Sequence, residues 1–423
     1  MKRFDQKTLD ALFKGLKQRK TRQGTGLFAE VSPLIEKVIS GGDKALFELT
    51  ARFDGVHLNQ LRVDPIEMKQ AYDRADRLYI DALEQAIVNI RKFHLPQVIQ
   101  PYCLKEDGKQ MGQRILPIER VGVYVPGGEA SYPSTLLMNV IPAQIAGVNE
   151  IVIVTPPPKS PEKRDSILVA AHMLGIREMY LVGGVQAIAA LAYGTETIEP
   201  VDKICGPGNK YVSTAKKIVF GDVAIDMIAG PSEILILSDG SKPISYIAAD
   251  MIAQLEHDSE AMAILLTTSL TEWQSIQGEM DVQLSKLKNQ GIVSEAYKDN
   301  AYAVLCDSVQ NMIALSNRIA PEHLELMIEN PEEILECISS AGAIFLGAYT
   351  PETLGDYMAG PNHTLPTTGN ARFASPLGTY DFQKRINYLY YDKKALSEVR
   401  DLLIKFTEKE GLPGHGRAVE IRV

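Results

Sequence analysis

A carboxylate stands beside an imidazole in the stretch Arg318-Ile319-Ala320-Pro321-Glu322-His323-Leu324-Glu325-Leu326. General acid–base chemistry uses such a pair because the two groups tune each other's proton affinity. Ile313, Leu315 and Ile319 read as a helix, and Pro321, which lacks an amide hydrogen, drives Ala320 out of the helical region. Glu322 and His323 therefore fall at a junction. Beyond them Leu324, Leu326 and Ile328 alternate with Glu325 and Met327, a short strand leading away. Neighbours within a strand face opposite ways, so both groups meet one substrate only if the turn is irregular. A solvated Glu-His pair on a loop accounts for the same residues.

Metal chemistry has its own candidates. Gln254 and His257 stand three apart on the edge of an apolar helical stripe (Ile244, Ile247, Ala248, Met251, Ile252, Leu255), where their side chains can share one point. A capping histidine at a helix end produces the same spacing. Of seven histidines, His257, His323, His363 and His415 lie in polar or glycine-rich loops or at helix ends. With Asp356, the set Gln254, His257 and His415 makes a nitrogen and oxygen shell without sulfur, of the kind zinc accepts where it keeps room for substrate. Gly230-Pro231-Ser232-Glu233 aims a hydroxyl into a cleft or is a plain turn. Cys205-Gly206-Pro207-Gly208-Asn209 joins a strand to a helix and offers backbone donors to a phosphate, but it is not G-x-G-x-x-G. Cys205 suits a nucleophile by type, yet no histidine lies near it in sequence; a core-facing thiol is the plainer reading.

These residues need elements to position them. Residues 5–22 read as an amphipathic helical arm with Leu9, Leu12, Phe13 and Leu16 on one stripe. Ser32-Pro33 reads as a helix start and Gly41-Gly42 as its stop. Strands are expected at 113–117, 121–125, 151–155, 179–182, 202–205 and 223–227, with helices at 136–146, 166–174, 186–193 and 209–220 among them. The alternation recurs at 263–267, 302–305, 323–328 and 343–346, with helices at 271–287, 310–319 and 331–339. The expected fold class is α/β, with two incomplete Rossmann-like lobes. The division reads as an arm over 1–24, a larger lobe over 25–130 plus 240–380, a smaller lobe over 131–239, and a tail over 381–423 ending in a strand at 419–423. Two such lobes imply a cleft, with ligands at the carboxyl ends of the strands.

The whole chain narrows the partners. Its 423 residues exceed one core, and 45% hydrophobic with 23% charged residues is ordinary for a globular protein. A net charge of -9 argues against nucleic acid or an anionic membrane and for a small molecule. Cys103, Cys205, Cys306 and Cys337 form no CxxC pair, which suits a reducing cytoplasm. No signal-length or membrane-length apolar run is present.

Seven segments together resemble the histidinol dehydrogenase family: VGVYVPGG at 121–128, KICGPGNKYV at 203–212, DMIAGPSE at 226–233, AQLEHD at 253–258, RIAPEHLEL at 318–326, GDYMAGPNHTLPT at 355–367 and EGLPGH at 410–415. The resemblance spans nearly the whole chain. It implies oxidation of L-histidinol to L-histidine through the aldehyde, with two NAD and one zinc per site, in a homodimer. It implies Gln254, His257, Asp356 and His415 as zinc ligands and Glu322 and His323 as the acid/base pair. Ser232, His363 and Glu410, with His323 and the metal ligands, are implied to contact substrate, and Tyr124, Gln186 and Asn209 to contact NAD. The tail is implied to cross to the partner, so that Glu410 and His415 complete the partner's site, and the arm to join that interface.

Overall fold

The computed structural model describes residues 1–5, 7–22, 27–127, 131–287 and 290–423. Two parallel sheets organise them. The first has the order β6 (Glu178–Leu181), β5 (Glu150–Thr155), β4 (Arg120–Tyr124), β7 (Lys203–Cys205), β8 (Ala224–Ile225). The second has the order β1 (Lys2–Phe4), β11 (Ala301–Leu305), β10 (Met262–Thr267), β9 (Glu233–Ser238), β12 (His323–Met327), β13 (Ala343–Leu346). A third, antiparallel sheet joins β14 (Gln383–Tyr391), β3 (Lys109–Pro117) and β2 (Tyr102–Glu106). Helices cover both faces of the parallel sheets, so their central strands are near-continuous apolar runs; every residue of β9, β10 and β12 is buried.

Several elements differ from the sequence reading. β9 was not expected, although it is central to the second sheet: Ile234-Leu235-Ile236-Leu237 has no period, because both of its faces are covered. β4 hydrogen-bonds in the first sheet, although 25–130 was assigned to the larger lobe, and β9 lies in the second sheet, although 131–239 was assigned to the smaller. The helix Phe28–Asp54 packs Val31, Ile35 and Val38 against the first sheet's core, and Pro33 lies inside it rather than at its start. Gly42 does interrupt it, at φ 51 and ψ -138. The end of the chain is a helix, Pro413–Glu420, not a strand; it folds back on the helix Lys393–Glu410 after Gly411, whose φ of 71 suits only glycine without strain. The arm docks on this chain: β1 pairs with β11, and Leu12 is buried beside Leu315 and Ile319. Gln6, Gln23 and Gly24 of the expected arm, Gly128 of the VGVYVPGG segment and Glu129–Ala130 lie outside the described residues. Among the described residues no helix is long and apolar enough to cross a membrane.

The strand order reverses between β4 and β7 in the first sheet and, within the run from β11 to β13, between β9 and β12 in the second. The first switch point is held by a buried ion pair. Lys216, on the helix Lys210–Val219, pairs with Asp226, both side chains being almost fully buried. The Lys216 ammonium also donates to Gly206 O at 2.9 Å, and Asp226 Oδ2 accepts from Gly206 N at 2.8 Å. One ion pair thus fixes both polar groups of the residue that follows β7. Removing one partner leaves an uncompensated buried charge, so Lys216→Met is expected to cost about 3–5 kcal/mol, read as a lower denaturant midpoint. An unchanged midpoint would contradict the role given to the pair.

Candidate active site

The helix Val309–Ile319 ends at Ala320, which takes a left-handed conformation (φ 55, ψ 64) rare for a residue with a Cβ. Such strain persists only where the surroundings enforce it. Pro321 follows, the chain reverses, and β12 begins at His323. Parallel pairing sets His323 opposite Ile234, which leaves Glu233 facing the turn. The backbone of Glu233 then takes both side chains: its N–H donates to Glu322 Oε2 at 2.8 Å, and its carbonyl lies 3.2 Å from His323 Nδ1. Glu322 precedes the strand, so its carboxylate swings round, and the two groups stand 3.7 Å apart.

A carbonyl only accepts, so Nδ1 of His323 carries the ring proton and Nε2 keeps its lone pair. That Nε2 is buried and finds no hydrogen-bond partner among the described residues. Burial pushes His323 down to about 4, which keeps the ring neutral. Burial pushes Glu322 well above the usual carboxylate range; the Glu233 amide opposes this, and the charges of Glu233 and Asp356 add to it. A raised proton affinity makes a carboxylate a stronger base.

Gln254 closes the helix Ile244–Leu255 and His257 lies just beyond it; Asp356 rides on the short helix Glu352–Tyr357. His257 and Asp356 offer one ligand atom each within 4.8 Å of one another, and a residue absent from the sequence reading, Glu352, brings its carboxylate as close to both. A zinc ion sits about 2.0–2.2 Å from its nitrogen and oxygen ligands, so the spacing and chemistry of His257 and Asp356 fit it. Burial raises Glu352 well above the usual range, and Asp356, Glu322, Glu325 and Asp250 add to the shift. Such crowding of carboxylates is what a bound cation relieves. Glu352 had a signal in the sequence: it and Asp356 are four apart, on one helix face.

A cleft of about 550 Å³ brings together Tyr124, Asn209, Ser232, His257, Glu322, His323, Asp356 and His363. It lies at the carboxyl ends of the first sheet but at the amino ends of the second, where Glu233 and His323 open β9 and β12. The expectation of carboxyl ends thus holds for one lobe only. His363 Nδ1 lies 3.0 Å from Asp356 O, and its Nε2 lies 3.5 Å from Thr135 Oγ1. Tyr124, pushed up to about 12 by burial, accepts from Gly184 N–H at 3.2 Å. Asn209 caps the helix Lys210–Val219 by accepting from Tyr211 N and Val212 N. Gln186 is buried in the first turn of the helix Gly184–Tyr193, and its Nε2 has no partner among the described residues. Two helix N-termini and an orphaned amide beside a switch point fit a dinucleotide. At Gly206 a Cβ would lie 2.1 Å from Tyr124 O, so the loop after β7 must be bare backbone there. Cys205 is fully buried and its thiol is raised far above its usual range, which removes it as a nucleophile. Glu410 and His415 are exposed on the C-terminal helix pair and do not line the cleft of their own chain.

Residues 17–423 match the family model described as histidinol dehydrogenase. The chain belongs to the histidinol dehydrogenase family. It is 48% identical over 411 residues to histidinol dehydrogenase of Clostridium acetobutylicum, covering 97% of this chain and 95% of that one. To the Bacillus subtilis histidinol dehydrogenase it is 46% identical, covering 93% and 92%. The crystal structure of histidinol dehydrogenase from Elizabethkingia anophelis superimposes with a TM-score of 0.92 at 39% identity, covering 100% of this chain and 98% of that one. Histidinol dehydrogenase oxidises histidinol to histidine in histidine biosynthesis, and the family uses NAD and Zn2+.

His323 yields a pH prediction. Its folded pKa, about 4, lies below the ordinary histidine value of 6.5, so on acidification the unfolded chain takes up the proton first. The stability it contributes is complete above about 6.5 and is lost toward about 4, by up to roughly 3 kcal/mol. The stability difference between the metal-free protein and its His323→Gln variant should shift by that amount across the window; a pH-independent difference would contradict it.

Proposed function

We propose that Glu322 and His323 are the proton-transfer pair of a four-electron oxidation of L-histidinol to L-histidine through L-histidinal. Gln254, His257 and Asp356 hold zinc from one chain, with His415 supplied by a second copy. The observation that supports this reading most is the orphaned Nε2 of His323, a neutral base 3.7 Å by its other nitrogen from a carboxyl group whose proton affinity is raised by burial. Bound NAD would supply the hydride acceptor for each half-reaction, and zinc held by Gln254, His257, Asp356 and the second copy's residue 415 would supply Lewis-acid polarisation.

The protein's own residues manage the protons. In the first half His323 Nε2 takes the hydroxyl proton, and the Glu233 carbonyl on Nδ1 steadies the imidazolium that results. In the second half Glu322 removes a proton from the water that attacks the aldehyde, the His323 imidazolium returns its proton to the former carbonyl oxygen, and the ring, neutral again, takes a hydroxyl proton of the hydrate as the second hydride leaves. Ser232 and His363 contact substrate in this reading, alongside His323, Gln254, His257 and Asp356. Glu410 of a second copy accepts from the far imidazole N–H, which selects an imidazole over an aliphatic alcohol. Tyr124, Gln186 and Asn209 contact NAD.

The case for a homodimer rests on what one chain lacks. Three ligands leave a zinc shell incomplete, and Glu410 and His415 lie away from their own cleft. The tail exposes Leu389, Tyr390, Leu402, Phe406 and Ile421, apolar area of the kind a partner covers. Free thiols at the exposed Cys103 and Cys337 support a reducing compartment, the cytoplasm.

Glu322→Gln is expected to leave alcohol oxidation nearly intact and to slow aldehyde oxidation by about 10²–10⁴-fold, followed as single-turnover NADH formation from each substrate. Equal impairment of both halves would remove Glu322 from its role. Subunit mixing tests the shared site. Glu322→Gln and His415→Ala, each with little activity on the full reaction, should regain it in hybrid dimers, because one of the two sites is then free of both changes. No recovery on mixing would place residue 415 in its own chain's site.

A further inference from the structure

Glu352 occupies a position from which one carboxylate reaches both halves of the site. It opens the short helix that carries Asp356, so the two acids leave the same face. Its N–H donates to Glu325 Oε1 at 2.9 Å, and the residue is only 2% exposed. With its amide turned so that nitrogen meets the acid, Gln254 stands 2.6 and 2.7 Å from Oε2 and Oε1 of Glu352. Oε1 also lies 3.9 Å from His257 Nε2 and 3.5 Å from His323 Nδ1.

A carboxamide offers a cation only its oxygen, and a half-turn about its last torsion would present the NH2 instead. At Gln254 that half-turn would set an oxygen against both oxygens of Glu352, a repulsive contact between acceptors. The carboxylate therefore engages the nitrogen and leaves the oxygen as the free ligand atom. Charge points the same way. A carboxamide and two imidazole ligands bring a divalent ion no charge and one carboxylate ligand brings a single negative charge, so the ion keeps an excess positive charge in a largely buried place. Glu352 supplies the second negative charge where it is needed.

We infer that Glu352 is a positioning residue of the zinc centre, which locks the Gln254 carboxamide oxygen-first toward the ion and balances its charge without being a ligand. This rests on the proposed ligand set of Gln254, His257 and Asp356.

The test is zinc titration of the metal-free proteins against a chromophoric chelator, without substrate or NAD. Glu352→Gln should bind zinc about 10–100-fold more weakly, yet at saturating cobalt(II) it should keep the visible absorption of the parent protein. The exchange Gln254→Glu with Glu352→Gln should recover most of the loss, since carboxylate and carboxamide then trade places. Unchanged zinc affinity in Glu352→Gln overturns the inference, and so does an altered cobalt spectrum, which would make Glu352 a ligand. If Glu352→Gln does not fold, Glu352→Asp, which keeps the charge but withdraws the oxygens by one methylene, serves instead: weaker zinc binding is expected and parental affinity overturns the inference. His257→Asn separates the two levels. If it keeps parental zinc affinity the ligand set is wrong, whereas if it loses zinc and Glu352→Gln does not, the present inference alone fails.

Discussion

The backbone N–H and C=O of Glu233 hold the acid and the base of this site in one place. Glu322 accepts from the first and His323 donates to the second, at 2.8 and 3.2 Å. Neither side chain is free to turn, and the one ring nitrogen left without a partner is the one with a lone pair. The arrangement depends on register. β9 and β12 are neighbours at the switch point of the second sheet, with His323 opposite Ile234. A slip of one residue would turn every side chain of β12 to the other face. Stability and function therefore share one constraint, the parallel pairing of two fully buried strands.

Around that pair the site gathers more negative charge than it neutralises. Glu322, Glu352 and Asp356 are brought together, and Glu325 and Asp250 stand behind them. Burying carboxylates costs free energy unless they are paired, protonated or bound to a metal. The raised proton affinities of Glu322 and Glu352 and the cation-sized spacing of His257 and Asp356 beside Glu352 are two expressions of that one fact. The first sheet brings the opposite character to the cleft: glycine-rich backbone, helix N-termini and the Lys216–Asp226 pair that pins them. The first sheet's side of the cleft suits an anionic dinucleotide and the second sheet's side a divalent cation, and the proposed reaction places substrate between them.

Much of this was legible in the residues. Alternating strand and helix patterns gave both parallel sheets, and Pro321 marked the junction at which Glu322 and His323 sit. What escaped did so for physical reasons. β9 is apolar on both faces and so has no period, and β14, within the expected tail, was not expected as a strand because its sheet is largely exposed and lacks a buried face to set a pattern. Placement of the site at the amino ends of the second sheet follows from how two lobes face each other, which no local pattern carries. Glu352 reads locally as an acid in the first turn of a short helix, where acids are common. Only the approach of Gln254 and His257 from another helix gives it a role, and only a second chain could bring His415 to the shell proposed for it.

The tautomer of His323 tests the central arrangement most directly. In protein labelled with ¹⁵N at histidine and kept near neutral pH, long-range ¹H–¹⁵N correlation separates a protonated Nδ1 from a protonated Nε2. Assignment comes from the signal lost in a variant lacking the ring. A neutral ring protonated at Nδ1, with Nε2 at the shift of an unprotonated nitrogen, is the predicted result. A ring protonated at Nε2 would mean that the Glu233 carbonyl does not hold it and that the base facing the cleft has no lone pair to offer.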